Sequence, residues 1–243
     1  MHSNHPIDLS IVIPVYNEVD NIEDLYLEIV KCLPADRFLY EVIFVDDGST
    51  DGTSLRLKGL VDSHPNLRSV YHQQNYGQSA ALLSGARAAR YSMLVTLDGD
   101  GQNDPADIPR LFEHLQDSRT VVLGNRKKRD DNALRKLSSR IGNTIRRGLL
   151  KDECPDTGCS LKLFPRDAFL ALPHFNHLHR FLPALFKRAG FKLVNLPVNH
   201  RPRWHGASKY GVMNRLFVGI HDLIGVRWLL KRPCAPEIST NEK

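Results

Sequence analysis

Two carboxylates, Asp98 and Asp100, stand two residues apart at the end of the apolar run Met93-Leu94-Val95-Thr96-Leu97, and Gln102 follows two positions later. Hard oxygen donors at this spacing suit Mg²⁺ or Mn²⁺, and Gly99 and Gly101 let the backbone curl around an ion. Alone, Asp-x-Asp is equally an ordinary solvated turn, so its weight comes from its neighbours. The run before it has the length and β-branched content of a buried strand, and α/β sheets bind ligands at the carboxyl ends of their strands.

Two further loops fit the same edge. Leu9 to Ile13 predicts a strand stopped by Pro14, and the loop Pro14-Val15-Tyr16-Asn17-Glu18 offers an aromatic to stack on a base and a carboxylate to accept from ribose hydroxyls. Glu41 to Val45 predicts a second strand, ending in Asp46-Asp47-Gly48-Ser49-Thr50-Asp51. By composition this is turn chemistry, with Ser49 or Thr50 fit to cap a helix, but an acid at this edge also suits a base or ribose. Three polar strand ends together read as a nucleotide-plus-metal cleft.

The elements that must carry these loops alternate. Helices are expected from Asp20 to Leu33, up to about Val61, from Gly77 to Arg90 and from Pro105 to Leu115, with further strands at Arg68 to Tyr71 and Thr120 to Gly124. Such alternation predicts βαβ units and a mainly parallel central sheet with flanking helices. Later, Asn132 to Leu150 reads as a basic helix, Leu161 to Phe164 and Phe191 to Leu196 as strands, and Leu178 to Ala189 as a helix despite Pro183. Without a linker, the reading is a single α/β domain over residues 7–232, with flexible termini at 1–6 and 233–243.

Composition sets outer limits. The chain has 243 residues, 42% hydrophobic and 25% charged, and 33 basic against 27 acidic residues give a net charge of +6. That excess hints at an anionic partner, phosphate or membrane surface, and is too small to imply nucleic acid. Four cysteines without a CxxC pair indicate neither zinc nor a disulfide framework, so a reduced, cytoplasmic setting is expected. No signal peptide is visible, and Leu216 to Leu230 is too short and too polar for a transmembrane helix. Leu216, Phe217, Ile220, Leu223, Ile224 and Trp228 instead form an amphipathic C-terminal stripe near Arg215, Arg227, Lys231 and Arg232, suited equally to core packing and to peripheral contact with a membrane.

The loops quoted above, with Asn75-Tyr76-Gly77 and Leu97-Asp98-Gly99-Asp100-Gly101-Gln102, resemble the GT-A inverting glycosyltransferases of family 2. The nearest branch is that of the polyprenyl-phosphate sugar transferases, similar to dolichol-phosphate mannose synthase, and the resemblance runs from about Leu9 to Arg232. It implies that Asp98, Asp100 and Gln102 hold the divalent metal on the donor diphosphate, and that Pro14, Tyr16, Glu18 and Asp46 or Asp47 cradle the nucleoside. Gly124-Asn125-Arg126 with Arg135 and Ser139 resembles the branch's acceptor-phosphate segment, where arginine suits phosphate oxygens. Arg203-Trp204-His205-Gly206-Ala207-Ser208-Lys209-Tyr210 resembles its donor-phosphate loop, which points to Arg203, Ser208 and Lys209. The implied activity is inverting transfer of a sugar from a UDP- or GDP-linked donor to a polyprenyl phosphate.

Two alternatives stay open from sequence. A hydroxyl acceptor, on a saccharide or lipid headgroup, needs a carboxylate base, for which Asp156 is the candidate. A nucleotide-sugar binding protein without turnover would keep the same cleft. Sugar, base, prenyl length and oligomeric state are not written in these residues.

Overall fold

Strand β1 (Ile7–Val15) is apolar on both faces, as a strand covered on both sides must be. Leu9, Ile11, Ile13 and Val15 enter one hydrophobic cluster and Val12 the other. In the next strand, β2 (Phe38–Asp46), Val42 and Phe44 face the first cluster and Ile43 and Val45 the second. This two-residue alternation divides the molecule into two helical layers around one sheet. The computed structural model describes residues 6–126, 146–204 and 212–232, with backbone alone for 212–218.

The first layer includes α1 (Ile22–Cys32), α2 (Thr53–Ser63) and α4 (Ile108–Glu113); the second has α3 (Gln78–Ala88), α5 (Arg166–Leu170), α6 (Leu182–Arg188) and α7 (Val212–Leu230). The remaining strands are β3 (Leu67–Tyr71), β4 (Met93–Thr96), β5 (Thr120–Arg126), β6 (Lys162–Pro165) and β7 (Lys192–Val198). Their order is β3-β2-β1-β4-β6-β5-β7. All neighbours are parallel except β6, which runs antiparallel to both β4 and β5. Its direction follows from the path: β5 ends at the carboxyl edge, and the chain re-enters there, where the Gly124 amide donates to the Leu161 carbonyl. The sheet is thus mainly parallel, as expected, with one strand inserted in the opposite sense.

Two expectations are corrected. Pro14 does not stop β1, which continues through it in register with Val45. The Val12 carbonyl accepts from Leu97 on the β4 side, and Pro14 shares that side beyond the last β4 pairing at Thr96, so its missing N–H breaks no ladder. The single helix expected from Leu178 to Ala189 is a 3₁₀ turn, Leu178–Arg180, followed by α6, and Pro183 lies in the first turn of α6 where an N–H has no helical partner. Of the basic helix expected at 132–150, residues 146–150 are helical and the rest lies outside the described residues.

Helix α3 approaches the sheet closely at Gly85. A Cβ there would fall 2.3 Å from Val12 Cγ1, so only glycine permits the approach that seats the start of α3 beside the cleft. Helix α7 buries Val226 and packs Leu223, Leu229 and Leu230 on the second layer, and Asp222 meets His177 Nδ1 at 2.9 Å. Ile220, Ile224 and Trp228, from the expected stripe, stay exposed.

Candidate active site

The carboxyl ends of β1, β2 and β4 converge on one edge, and their loops are stitched together. The Asn17 amide donates to Ser49 Oγ at 2.8 Å and the Thr50 amide to Asn17 Oδ1 at 2.7 Å, while Glu18 and Val19 amides bond Thr53 and Asp51. Asn17 takes φ of 55° to make this clasp. Asp46 and Asp47, both buried, spend their oxygens on the same framework. Asp46 accepts from the Ser49 amide and the Ser54 hydroxyl; Asp47 accepts from the amides of Tyr76 and Gly77 and pairs with His72. The motif acids of the second loop therefore shape the cleft wall and set the start of α3.

The start of α3 in turn reaches the loop that carries Asp98 and Asp100. Gln78 Nε2 donates to Asp98 Oδ1 at 2.8 Å, and the Asp98 amide donates to Asn103 Oδ1, which also accepts from Ser160 Oγ at 2.6 Å. Burial first, and the Asp100 carboxylate second, push Asp98 up to about 6 against the restraining pull of Ser160, Lys162 and Arg126. Asp100 is buried, accepts from the Gln102 amide at 3.1 Å, and receives Arg203 Nη2 at 2.8 Å. Gly101 has φ of +73°, and a Cβ on it would lie 2.4 Å from Trp204 Cδ2, so the loop turns tightly under the indole.

Among the described residues, no group of three acidic, histidine or cysteine side chains converges as a complete metal cage. Two features nonetheless fit a divalent ion: a carboxylate pair close enough to raise one member, and a guanidinium already drawn onto the other as a stand-in cation. Gln102 brings a further amide oxygen to the same loop, and its Nε2 donates to the Arg201 carbonyl at 3.5 Å.

Across β6 from Asp98 lies Arg126, at the end of β5. Its Nε and Nη2 hold Asp156 Oδ2 and Oδ1 at 2.6 and 2.7 Å, and the backbone amide of Arg126 adds a third bond to Asp156 at 3.3 Å. Arg126 and Asp98 feel each other's charge, so the two sites share one electrostatic field. The buried Lys162 ammonium donates to the Thr157 and Cys159 carbonyls and stiffens the turn that presents Asp156.

This arrangement has known counterparts. The model for glycosyl transferase family 2 matches residues 10–172, more than half of the chain. The chain belongs to glycosyl transferase family 2. It is 34% identical over 242 residues to a dodecaprenyl-phosphate galacturonate synthase of Rhizobium johnstonii, covering 96% of this chain and 71% of that one. It is 33% identical over 218 residues to an undecaprenyl-phosphate 4-deoxy-4-formamido-L-arabinose transferase of Edwardsiella ictaluri, covering 89% and 66%. The chain thus spans about two thirds of the length of these curated relatives. A mannosyltransferase from Pyrobaculum calidifontis, solved with GDP-Man and Mn²⁺, superposes with a TM-score of 0.69 at 22% identity, over 96% of this chain and 66% of that one. The family 2 fold expected from the motifs, GT-A, is therefore the fold observed.

Of the residues singled out in the sequence, Pro14, Tyr16, Glu18, Asp46, Asp47, Asp98, Asp100 and Gln102 come together at this edge, and Arg203 joins them from far along the chain. Arg126 and Asp156 sit beside it as a pair. Arg135, Ser139, Ser208 and Lys209 lie outside the described residues. Sequence reading gave no role to Gln78, Asn103, Ser160 or Trp204. Gln78 adjoins the quoted Asn75-Tyr76-Gly77 motif and Asn103 follows Gln102, so adjacency was the available signal; Ser160 carried none.

Proposed function

We propose that this family 2 glycosyltransferase moves one sugar, with inversion, from a nucleotide diphosphate sugar to a polyprenyl phosphate. The observation that carries the choice of acceptor is the Arg126–Asp156 pair. Asp156 is the carboxylate a hydroxyl acceptor would need as its base, and here both its oxygens are engaged by a guanidinium. An acceptor phosphate is already anionic at neutral pH and needs no strong base, and an arginine held in fixed geometry is the group to receive it. The names of the similar enzymes, both polyprenyl-phosphate sugar transferases, support the same reading.

In this reading Tyr16, Pro14 and Glu18 meet the nucleoside, inside a wall built by Asp46 and Asp47. Asp98, Asp100 and Gln102 would hold Mg²⁺ or Mn²⁺, which supplies charge neutralisation on the departing nucleoside diphosphate. Arg203, Ser208 and Lys209 would bind the donor phosphates, and Arg126, Arg135 and Ser139 would orient the acceptor phosphate for in-line attack. The leaving group then departs without a proton. Among the described residues no helix is long and apolar enough to cross a membrane. In the same reading α7 lies against the cytoplasmic membrane face where the lipid acceptor resides, through the exposed Ile220, Ile224 and Trp228 beside Arg227, Lys231 and Arg232.

The test is transfer from a panel of radiolabelled UDP- and GDP-sugars, with Mn²⁺ or Mg²⁺ and undecaprenyl phosphate, beside an Asp100→Ala control. Label that enters the organic phase and is absent in the control is the expected result. Donor hydrolysis without labelled lipid would move the acceptor to a hydroxyl.

A further inference from the structure

Arg203 occupies ground that a divalent ion needs. Its Nη2 lies 2.8 Å from Asp100 Oδ2 and its Nη1 3.1 Å from Glu18 Oε1, so one guanidinium bridges the metal loop and the loop after β1. The contact is largely dry, with side-chain exposures of 28%, 11% and 8% for Arg203, Glu18 and Asp100. A metal at about 2.0–2.2 Å from the same oxygen would bring a dication against this guanidinium, and two cations do not share one carboxylate cheaply where water screens poorly.

The backbone on either side of Arg203 is tied to the loop that carries Asp100. The Arg201 amide donates to the Gln102 carbonyl at 2.9 Å, and the Trp204 amide to the Asp100 carbonyl at 3.5 Å, on either side of residue 203. Arg201 is itself clamped by Glu28 at 2.7 and 2.8 Å and stacks on the Trp204 ring. With the backbone tied on both sides, an exchange at Asp100 asks only that the side chain of Arg203 turn.

We infer that Arg203 is the resident counter-ion of the metal loop and is exchanged for the divalent cation. Without metal, it neutralises Asp100 and holds the loop in its folded shape. Metal entry evicts it from Asp100, and the freed guanidinium turns to the anionic donor, with Glu18 keeping it at the rim of the cleft. The protein thus binds the bare metal more weakly than its carboxylates alone would, and metal and donor favour each other because the donor gives the evicted arginine a partner. This rests on the assignment of Asp98 and Asp100 as metal ligands, and goes beyond it by making a donor-side arginine their competitor.

The test is calorimetric titration of the full chain with Mn²⁺ alone, with no donor present. Arg203→Gln is expected to bind Mn²⁺ at least about tenfold more tightly than the parent chain, whereas Arg203→Lys, which keeps a competing cation, stays within about threefold. Metal-free Arg203→Gln is also expected to melt below the parent and to gain more from saturating Mn²⁺, since binding to the native state alone raises stability. Equal or weaker Mn²⁺ binding by Arg203→Gln would overturn the exchange. Absence of Mn²⁺ binding in the parent chain, or undiminished binding in Asp100→Asn, would instead remove the metal assignment and the exchange with it.

Discussion

The guanidinium of Arg126 and the carboxylate of Asp156 face each other side on, with two nitrogen–oxygen contacts of 2.6 and 2.7 Å. A fork held at both tines cannot rotate, so Asp156 fixes the direction in which Arg126 presents its three remaining N–H groups. Asp156→Asn keeps the shape and loses the charge-assisted bonds. We expect the acceptor KM to rise about 10- to 100-fold, the equivalent of one charged hydrogen bond, with nucleotide affinity unchanged. A loss confined to kcat, with acceptor KM intact, would indicate a general base and a hydroxyl acceptor.

Gly101→Ala places a methyl group where Trp204 stands and forces a positive φ on an L-residue. The expected cost is about 1–3 kcal/mol of stability, with weakened Mn²⁺ binding, because the loop bearing Asp100 must open. Urea unfolding and Mn²⁺ titration of the same preparation measure both. Full metal affinity in the variant would mean that the tight turn under the indole is dispensable.

Glu41 is buried between β1 and β3, accepting from Ser10 at 2.7 Å, Arg68 at 2.8 Å and the Arg90 amide at 2.6 Å. Burial by itself would raise its pKa, but these three donors together hold it below the usual carboxylate range. The native state therefore prefers the ionised form. Its stabilisation is complete above the unfolded value of about 4.3 and drains away as pH falls through the lowered native value. Glu41→Gln should cost about 2–3 kcal/mol at pH 7 and much less at pH 3. Denaturant midpoints at both pH values decide it, and an equal deficit at both would refute the linkage.

On α7, exposed Ile220, Ile224 and Trp228 lie at four-residue spacing along one face, and Arg232 sits over the Trp228 ring. Ile224→Asp should leave thermal stability within about 0.5 kcal/mol, as for other surface changes. It should also strip the protein from anionic phosphatidylglycerol vesicles in low-salt sedimentation. Unchanged sedimentation would remove α7 from the membrane contact.

Much of this was readable in advance where chemistry is local. The strands, the α1 period, the Asp98–Asp100 loop and the family motifs all lie in short windows, so residue type and spacing reveal them. The direction of β6 was not, because four residues, Lys162 to Pro165, say nothing about which strands flank them or in what sense. Nor was the embrace of Asp100 and Glu18 by Arg203, which joins positions 103 and 185 residues apart. The acids Asp46 and Asp47 were legible as a motif but not as a framework, since their partners Ser54, His72 and Gly77 come from other elements.

The reversed strand β6 also acts as a ruler. Hydrogen-bonded on one side to the strand that leads into Asp98 and Asp100 and on the other to the strand that ends at Arg126, it sets them two strand spacings apart, roughly 10 Å. That interval is written in backbone hydrogen bonds, so substitutions in the surrounding loops leave it unchanged. The loops can therefore reshape the cleft walls while the separation between the Asp98 loop and Arg126 stays set by the sheet.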